Sequence, residues 1–509
     1  MTPRCKVMSH IFICDLLIFI YLAGSTLLTV SSSGDGYLHC ESIMRNWVDS
    51  SIETKVRTDE LILKDLLLFL HVPRSGGRTY FLCLLRKLYT GPEECPLSYD
   101  KLRLNPSKPN CRLMVSHDDY SLLSKLPKHK TSVVTILRDP IDRVFSTYEF
   151  SVEVAARFLV HPNLTSATQM SRRKYPKSHG VSALDIWPWK YLVPWMRQDL
   201  FVRRHARELG RLRKTEKTNN PYDMEEMVMP LQEFINDPIA HEIIHNGATF
   251  QVAGLTNNSY LEESHDVRNC VRKHPEFGHY VLEVAKHRLD HMLYVGLTEE
   301  HKKSANMFAE VVGAQVISQS EALSSTEQET TNKTEPRFSS SYPADGLNQD
   351  EDIAGYLNIT EVPSPHDEPG RENMTVGKLM EAYEKCNSNL RKSQTTRHTM
   401  SLKKISPVNF SKKARRSVPA SILDQIQYLN SLDVELYKHA QDIFRRQEKH
   451  VMQNHDKGNL KAQEELQTSG CGSLFSCLPW KILSIIAFLA VLVLAILVTK
   501  RSRAGKLKM

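Results

Sequence analysis

Across residues 59–316 the chain alternates short unbroken apolar runs with amphipathic stretches. That order is expected of an α/β domain around a largely parallel sheet. "LLLFLHV" reads as one buried strand and "SVVTIL", residues 132–137, as another. A helix pattern follows each directly, with Phe81, Leu84, Leu85 and Leu88 as the apolar stripe of the first. Ile141, Val144, Phe145 and Tyr148 form the stripe of the second, and both stripes would anchor their helices on the sheet.

The pattern lapses over residues 318–372, where Ser, Thr, Glu and Pro predominate and twelve acidic residues face three basic ones, a net of −9. Such a segment buries too little apolar area to offset the entropy of ordering, so it is predicted as a disordered acidic insertion. Helical spacing then resumes with Ile422, Ile426, Leu429, Leu432, Leu436, Ala440 and Phe444. An amphipathic helix needs a surface to cover, so this segment is expected to return across the insertion onto the first domain.

The two ends carry a different pattern. Arg4 and Lys6 precede "IFICDLLIFIYLAGSTLLTV" and the small-residue exit "SSSG", which reads as a cleaved signal peptide despite Asp15 within it, an uncleaved anchor being the alternative. Residues 482–499, "ILSIIAFLAVLVLAILVT", hold no charge and are long enough for a transmembrane helix. Lys500, Arg501, Arg503, Lys506 and Lys508 follow as a cytosolic flank. The expected organisation is a signal peptide (1–33), a luminal domain (34–317) with its binding core from about residue 60, the acidic insertion (318–372), a returning helical segment (373–449), a stalk (450–480), one transmembrane helix (481–499) and a basic tail (500–509). This is a single-pass type I membrane protein.

Composition adds two restraints. The net charge of +8 resides mostly in the tail and signal region, so it gives no support for a nucleic-acid partner. Asn163, Asn257, Asn332, Asn358, Asn373 and Asn409 each open an N-x-S/T sequon, consistent with a luminal glycoprotein. Of the eight cysteines beyond the signal region, Cys95 and Cys111 flank a Pro-rich loop and are predicted to pair, whereas Cys83 falls among helix core positions and is predicted as a buried free thiol. No CxxC pair supports zinc.

Two loops carry candidate chemistry. In "HVPRSGGRTY", residues 71–80, the paired glycines let backbone amides from Ser75 to Thr79 turn inward toward an anion at a helix N-terminus. Arg74 and Arg78 supply cations and Thr79 a hydroxyl. The G-x-x-x-x-G-K-[ST] pattern of nucleotide triphosphatases is absent, and an ordinary tight turn is the plain alternative. In "TILRDPIDRVFSTYEF", residues 135–150, Arg138 stands at the strand's carboxyl edge, Asp139 fits an N-cap, Pro140 the first helical position, and Arg143 and Ser146 lie one turn apart. A strand-end Arg with a helix Ser suits a second phosphate grip at the sheet edge. A salt-bridged cap is the alternative.

Together the loops resemble the 5'-phosphosulfate and 3'-phosphate motifs of sulfotransferases that use 3'-phosphoadenylyl sulfate (PAPS). The pattern is similar to the heparan sulfate 6-O-sulfotransferase family, with further matches in "LQEFIND", "YVGLTEEHKKSANMF" and "LNSLDVELYKHA". "FLHVPRSGGRTY", "HDDYSLLSKLP", "STYEFSVEVAARFLVHPNLT" and "LDIWPWKYLVPWMR" resemble the plant tyrosylprotein sulfotransferases in particular. The resemblance implies a P-loop-like PAPS sulfotransferase fold and sulfuryl transfer to tyrosine of secreted peptides or proteins at the Golgi membrane. It implies donor binding by Arg74, Ser75, Gly76, Gly77, Arg78, Thr79, Arg138 and Ser146, with no metal. His117, in "LMVSHDDY", matches the family's catalytic base, Asp118 or Asp119 would orient it, and Arg74 stands where the glycan enzymes carry Lys.

Three further stretches have competing readings. "HEIIH", residues 241–245, fits the zinc-protease H-E-x-x-H pattern, but its longer form fails at Gly247 and Gln251. The basic run at residues 197–217 suits either an acceptor with acidic residues beside its tyrosine or a solvated charged face. Trp187, Trp189, Tyr191 and Trp195 suit either an acceptor wall or core. A glycan 6-O-sulfotransferase is the alternative enzyme.

Overall fold

The computed structural model describes residues 36–52, 62–89, 93–95, 111–160, 163, 184, 186–210, 220–330, 374–469 and 486–497. Four strands, β1 (Leu66–Leu70), β2 (Leu113–Ser116), β3 (Thr131–Leu137) and β4 (Tyr294–Leu297), form a parallel sheet in the order β2-β1-β3-β4. Every strand residue is buried, as a parallel sheet covered on both faces requires. The chain leaves β1 for β2 on one side and then returns to β3 on the other. A crevice therefore opens at the carboxyl ends of β1 and β3, where the two candidate loops emerge.

Behind β1 a helix starts at Gly77–Tyr80, passes through a π turn at Phe81–Leu85 and ends at Arg86–Leu88. Its predicted stripe is buried throughout. Behind β3 lies the helix Pro140–Arg157, with Val144, Phe145 and Tyr148 buried and Ile141 packed alongside. Residues beyond the insertion contribute to two hydrophobic cores. Leu436, Tyr437, Ala440 and Phe444 join the core around the sheet, and Leu402, Phe410 and Ile426 join the one around Pro140–Arg157.

The helical segment after β4 runs from His301–Phe308 through a π turn, Ala309–Gly313, into Ala314–Thr330. It thus covers the beginning of the stretch expected to be disordered. Two glutamines one turn apart explain this: Gln315 accepts from the Leu63 amide at 2.8 Å and Gln319 donates to the Leu63 carbonyl at 2.9 Å. A purely compositional reading counts such residues as polar filler. The rest of the expected insertion, residues 331–372, lies outside the described residues.

Cys95 and Cys111 are bridged as expected, and two long-range disulfides, Cys40–Cys270 and Cys83–Cys386, were not foreseen. Cys83 is therefore no free thiol: the helix Val376–Lys403 brings Cys386 within 5.5 Å, Cα to Cα. This bridge ties the returning segment covalently to the helix behind the glycine loop. Cleavage at a protease site engineered between residues 340 and 365 should give fragments that migrate together without reductant and separate with it. Separation without reductant would contradict the bridge.

Among the described residues no helix is long and apolar enough to cross a membrane. Residues 486–497 form a helix with exposed apolar side chains, and the remainder of the expected span, like the expected signal peptide, lies outside the described residues. Residues 448–509 form a unit separate from 1–447. Asn163, Asn257 and Asn409 are exposed, while Asn332, Asn358 and Asn373 lie outside the described residues.

Candidate active site

The sheet register builds the first part of the site. Leu70 of β1 pairs with Ser116 of β2, so the next residues, His71 and His117, stand side by side at the carboxyl edge. Their ring centroids are 4.1 Å apart. Gln251, in the helix Gly247–Val252, donates from Nε2 to the carbonyls of His71, His117 and Asp118 at 3.3, 3.0 and 3.2 Å. One side chain thereby holds both strand ends. Removal from water, then the Arg74 charge, lowers the His71 pKa to about 3. The same desolvation, then His71, holds His117 well below the ordinary histidine range. His117 thus presents a neutral imidazole, the form a general base requires.

Asp119 does not fill the orienting role expected of it. One of its oxygens accepts from the Ser121 amide at 3.0 Å and from the Ser121 hydroxyl, capping the turn Tyr120–Lys125. The other accepts from the Thr256 amide at 2.8 Å and its hydroxyl at 2.7 Å. Asp118 accepts from Asn258 at 3.3 Å.

In the glycine loop the two glycines are required for different reasons. Gly76 adopts φ 81°, which disfavours any Cβ. Gly77 packs against His71, whose ring would lie 2.3 Å from an added Cβ. Arg74 also has a left-handed backbone, φ 65°, a conformation that costs a non-glycine residue about 1 kcal/mol. Not every amide of the loop turns inward: Ser75 donates to the Val72 carbonyl at 3.2 Å and Thr79 to that of Gly76 at 3.0 Å. Gly77 and Arg78 begin a helix that no side chain caps. The Ser75 hydroxyl is buried with no hydrogen-bond partner among the described residues.

The second loop folds as its sequence requires. Asp139 accepts from the amides of Ile141 and Asp142 at 3.0 and 3.1 Å, and Pro140 opens the helix. The Arg74 guanidinium donates from Nε to the Ser146 hydroxyl at 2.9 Å and lies 4.3 Å above the Phe150 ring. Arg138 donates to the Arg74 carbonyl at 3.2 Å. Arg74, Arg138 and Ser146 therefore share one cleft. Desolvation and then the like charge of Arg138 push the Arg74 pKa down to about 10. Among the described residues no carboxylate is ion-paired with Arg74, although Glu153 and Glu149 lie near enough to act on it and Arg138 stands 3.9 Å from Glu299; the unpaired guanidinium is suited to an incoming anion.

Arg143 is not part of this grip. It is buried in an ion pair with Asp433 at 2.7 Å, in the helix Ser431–Ser469. The remaining stretches also resolve. His245 bonds the Ile235 carbonyl at 2.8 Å and Glu242 pairs with Arg268 at 3.3 Å, so these two residues of "HEIIH" already have other partners. Arg203 pairs with Asp199 and Glu233, and Arg204 with Glu208, so these cations of the basic run are already partnered. Trp187 and Trp189 are core, while Tyr191 is exposed.

Residues that the sequence reading passed over are His71, Phe150, Gln251 and Asp433. His71 alone had a local signal, standing directly after β1 as His117 does after β2.

No family model matches the chain. A protein-tyrosine sulfotransferase of Arabidopsis thaliana is 52% identical to it over 477 residues, covering 92% of this chain and 94% of that protein.

Proposed function

The chain belongs to the protein-tyrosine sulfotransferases, and from that premise we propose that it transfers the sulfuryl group of PAPS to tyrosine hydroxyls of secreted peptides or proteins in the Golgi lumen. The observation that carries the donor assignment is the 2.9 Å bond from Arg74 to Ser146, which makes one anion cleft of two loops far apart in sequence. The donor's anionic groups suit this cleft: among the described residues the desolvated Arg74 guanidinium has no ion-paired carboxylate and the Ser75 hydroxyl has no hydrogen-bond partner.

When bound, PAPS supplies the sulfuryl group and leaves as adenosine 3',5'-bisphosphate. Tyrosine, with a pKa near 10, must lose its proton as its oxygen attacks sulfur. Neutral His117 accepts that proton. Arg74 faces the charge that builds on the departing oxygen, where a fixed cation in a low-dielectric cleft acts most strongly. Arg138 and Ser146 hold the 3'-phosphate.

Three disulfides among the described residues and the exposed sequon residues Asn163, Asn257 and Asn409 support an oxidising secretory compartment. The leader pattern and the apolar stretch at 482–499 support a Golgi membrane protein of type I orientation. Outside residues 318–372 the luminal part carries net positive charge, which supports acceptors with acidic residues beside the tyrosine. A glycosidase-sensitive mass shift of the expressed full chain checks the lumen, and an unshifted chain would argue against it.

Labelled PAPS offered with an Asp-Tyr peptide, and separately with desulfated heparan, tests the activity itself. Label is expected on the peptide. Label on heparan alone would overturn the acceptor assignment.

A further inference from the structure

Arginine at position 74 has a structural partner that the donor motifs do not include. Phe150 stands one helical turn after Ser146 on Pro140–Arg157, so a hydroxyl and an aromatic face are presented side by side. One guanidinium uses both, donating Nε to Ser146 at 2.9 Å while its carbon lies 4.3 Å from the Phe150 ring centre. The other side of the arrangement is fixed as well. Trp189 meets Phe150 edge to face, with centroids 4.7 Å apart and planes at 68°, and Trp189 is itself buried.

Nearby carboxylates do not compete for the guanidinium, because each is already held. Glu149 pairs with Arg415 at 2.7 Å, and Glu153 pairs with Arg157 and with His398 at 3.1 Å. A planar guanidinium can stack through its face and donate in its plane at once. The ammonium of lysine, a compact and strongly hydrated point charge, must use one nitrogen for both contacts and has no planar face to stack, so it would hold this geometry less well. The left-handed backbone of Arg74 persists against its own cost.

We propose that Phe150 is a positioning residue for sulfuryl transfer, orienting Arg74 on the donor and thereby selecting arginine over lysine at that position. The proposal rests on the reading that Arg74 faces PAPS. Trp189 backs the ring, which gives part of the "DIWPWKYL" segment a role in donor geometry.

A double-mutant cycle on the full chain tests it, with kcat/KM for PAPS, calorimetric affinity for adenosine 3',5'-bisphosphate and melting temperature as readouts. Phe150→Leu should lower kcat/KM roughly tenfold, the scale of a desolvated cation–aromatic contact. Phe150→Tyr, which keeps the face, should restore most of it. In the Arg74→Lys background the same Phe150→Leu change should cost less than about threefold, because the stacked geometry is already lost. If Phe150→Leu does not fold, Phe150→Met fills similar volume without a ring face and takes its place. Equal losses in both backgrounds, or no restoration by tyrosine, would reduce Phe150 to packing and overturn the proposal. A parent protein that neither binds bisphosphate nor transfers label removes the donor reading itself. A parent that does both, with Phe150→Leu unchanged, removes only the role of Phe150.

Discussion

His117→Ala is expected to lower turnover by roughly 10²- to 10⁴-fold, the range for losing a general base, while bisphosphate affinity changes by less than about threefold. The separation follows from the layout: the residues proposed to hold the donor, Arg74, Arg138 and Ser146, lie together after β1 and β3, whereas His117 follows β2. Loss of affinity in parallel with turnover would place His117 in donor binding instead. The same residue fixes a pH dependence. Desolvation and then His71 hold His117 well below the reference value of 6.5, so the base stays neutral as the medium becomes mildly acidic. The acid limb of the kcat/KM profile should therefore fall below pH 6.5, and a limb at or above it would contradict the paired-histidine geometry. Stability carries the opposite liability. His71 takes up a proton at about 6.5 when unfolded but only at about 3 when folded, so its contribution is full above 6.5 and is lost as pH falls toward 3. A urea midpoint no lower at pH 5 than at pH 7 would argue against that burial.

What could be read directly from the sequence was local. The β1 and β3 runs, the glycine loop, the Asp139 cap and the buried stripes behind them depend on residues within one turn of each other. The bond from Arg74 to Ser146 spans 72 positions, yet resemblance brought the two loops together because each motif is complete in itself. His71 was missed because only the register of Leu70 with Ser116 reveals that it neighbours His117. The free-thiol expectation for Cys83 failed for a related reason, since its partner lies 303 positions away, across the insertion. Asp119 misled because an acid beside a histidine suggests a dyad, while its oxygens satisfy the turn that follows. The role of Arg143 was equally out of local reach: one turn from Ser146, it pairs with a residue whose arrival depends on the returning chain.

That arrival sets the second large effect: Asp433→Ala is expected to destabilise the protein by about 3–5 kcal/mol. Asp433 accepts from Arg143 at 2.7 Å, from the Thr249 amide and hydroxyl at 2.7 Å each, and from the Ala248 amide at 3.3 Å. The side chains of the ion pair are 3% and 1% exposed, so truncation strands a guanidinium where water cannot replace the lost partner. Among the described residues Arg143 retains only the carbonyls of Ile243 and Ile244, at 3.2 and 3.4 Å, which do not neutralise it. The loss should reach the proposed donor cleft, because the Arg143 helix also presents Ser146 and Phe150. On the other side, Tyr437 of the Asp433 helix bonds Glu299 at 2.6 Å, and Glu299 accepts from the Asp139 amide at 3.1 Å. The urea midpoint and the bisphosphate affinity should therefore fall together. Replacing both partners, Arg143→Leu with Asp433→Leu, should recover much of the midpoint, because a removed pair leaves no stranded charge. An Asp433→Ala protein with an unchanged midpoint would show that the returning helix is held by its apolar face alone. Full affinity in a protein with a lowered midpoint would show that the pair secures the fold without bracing the donor cleft.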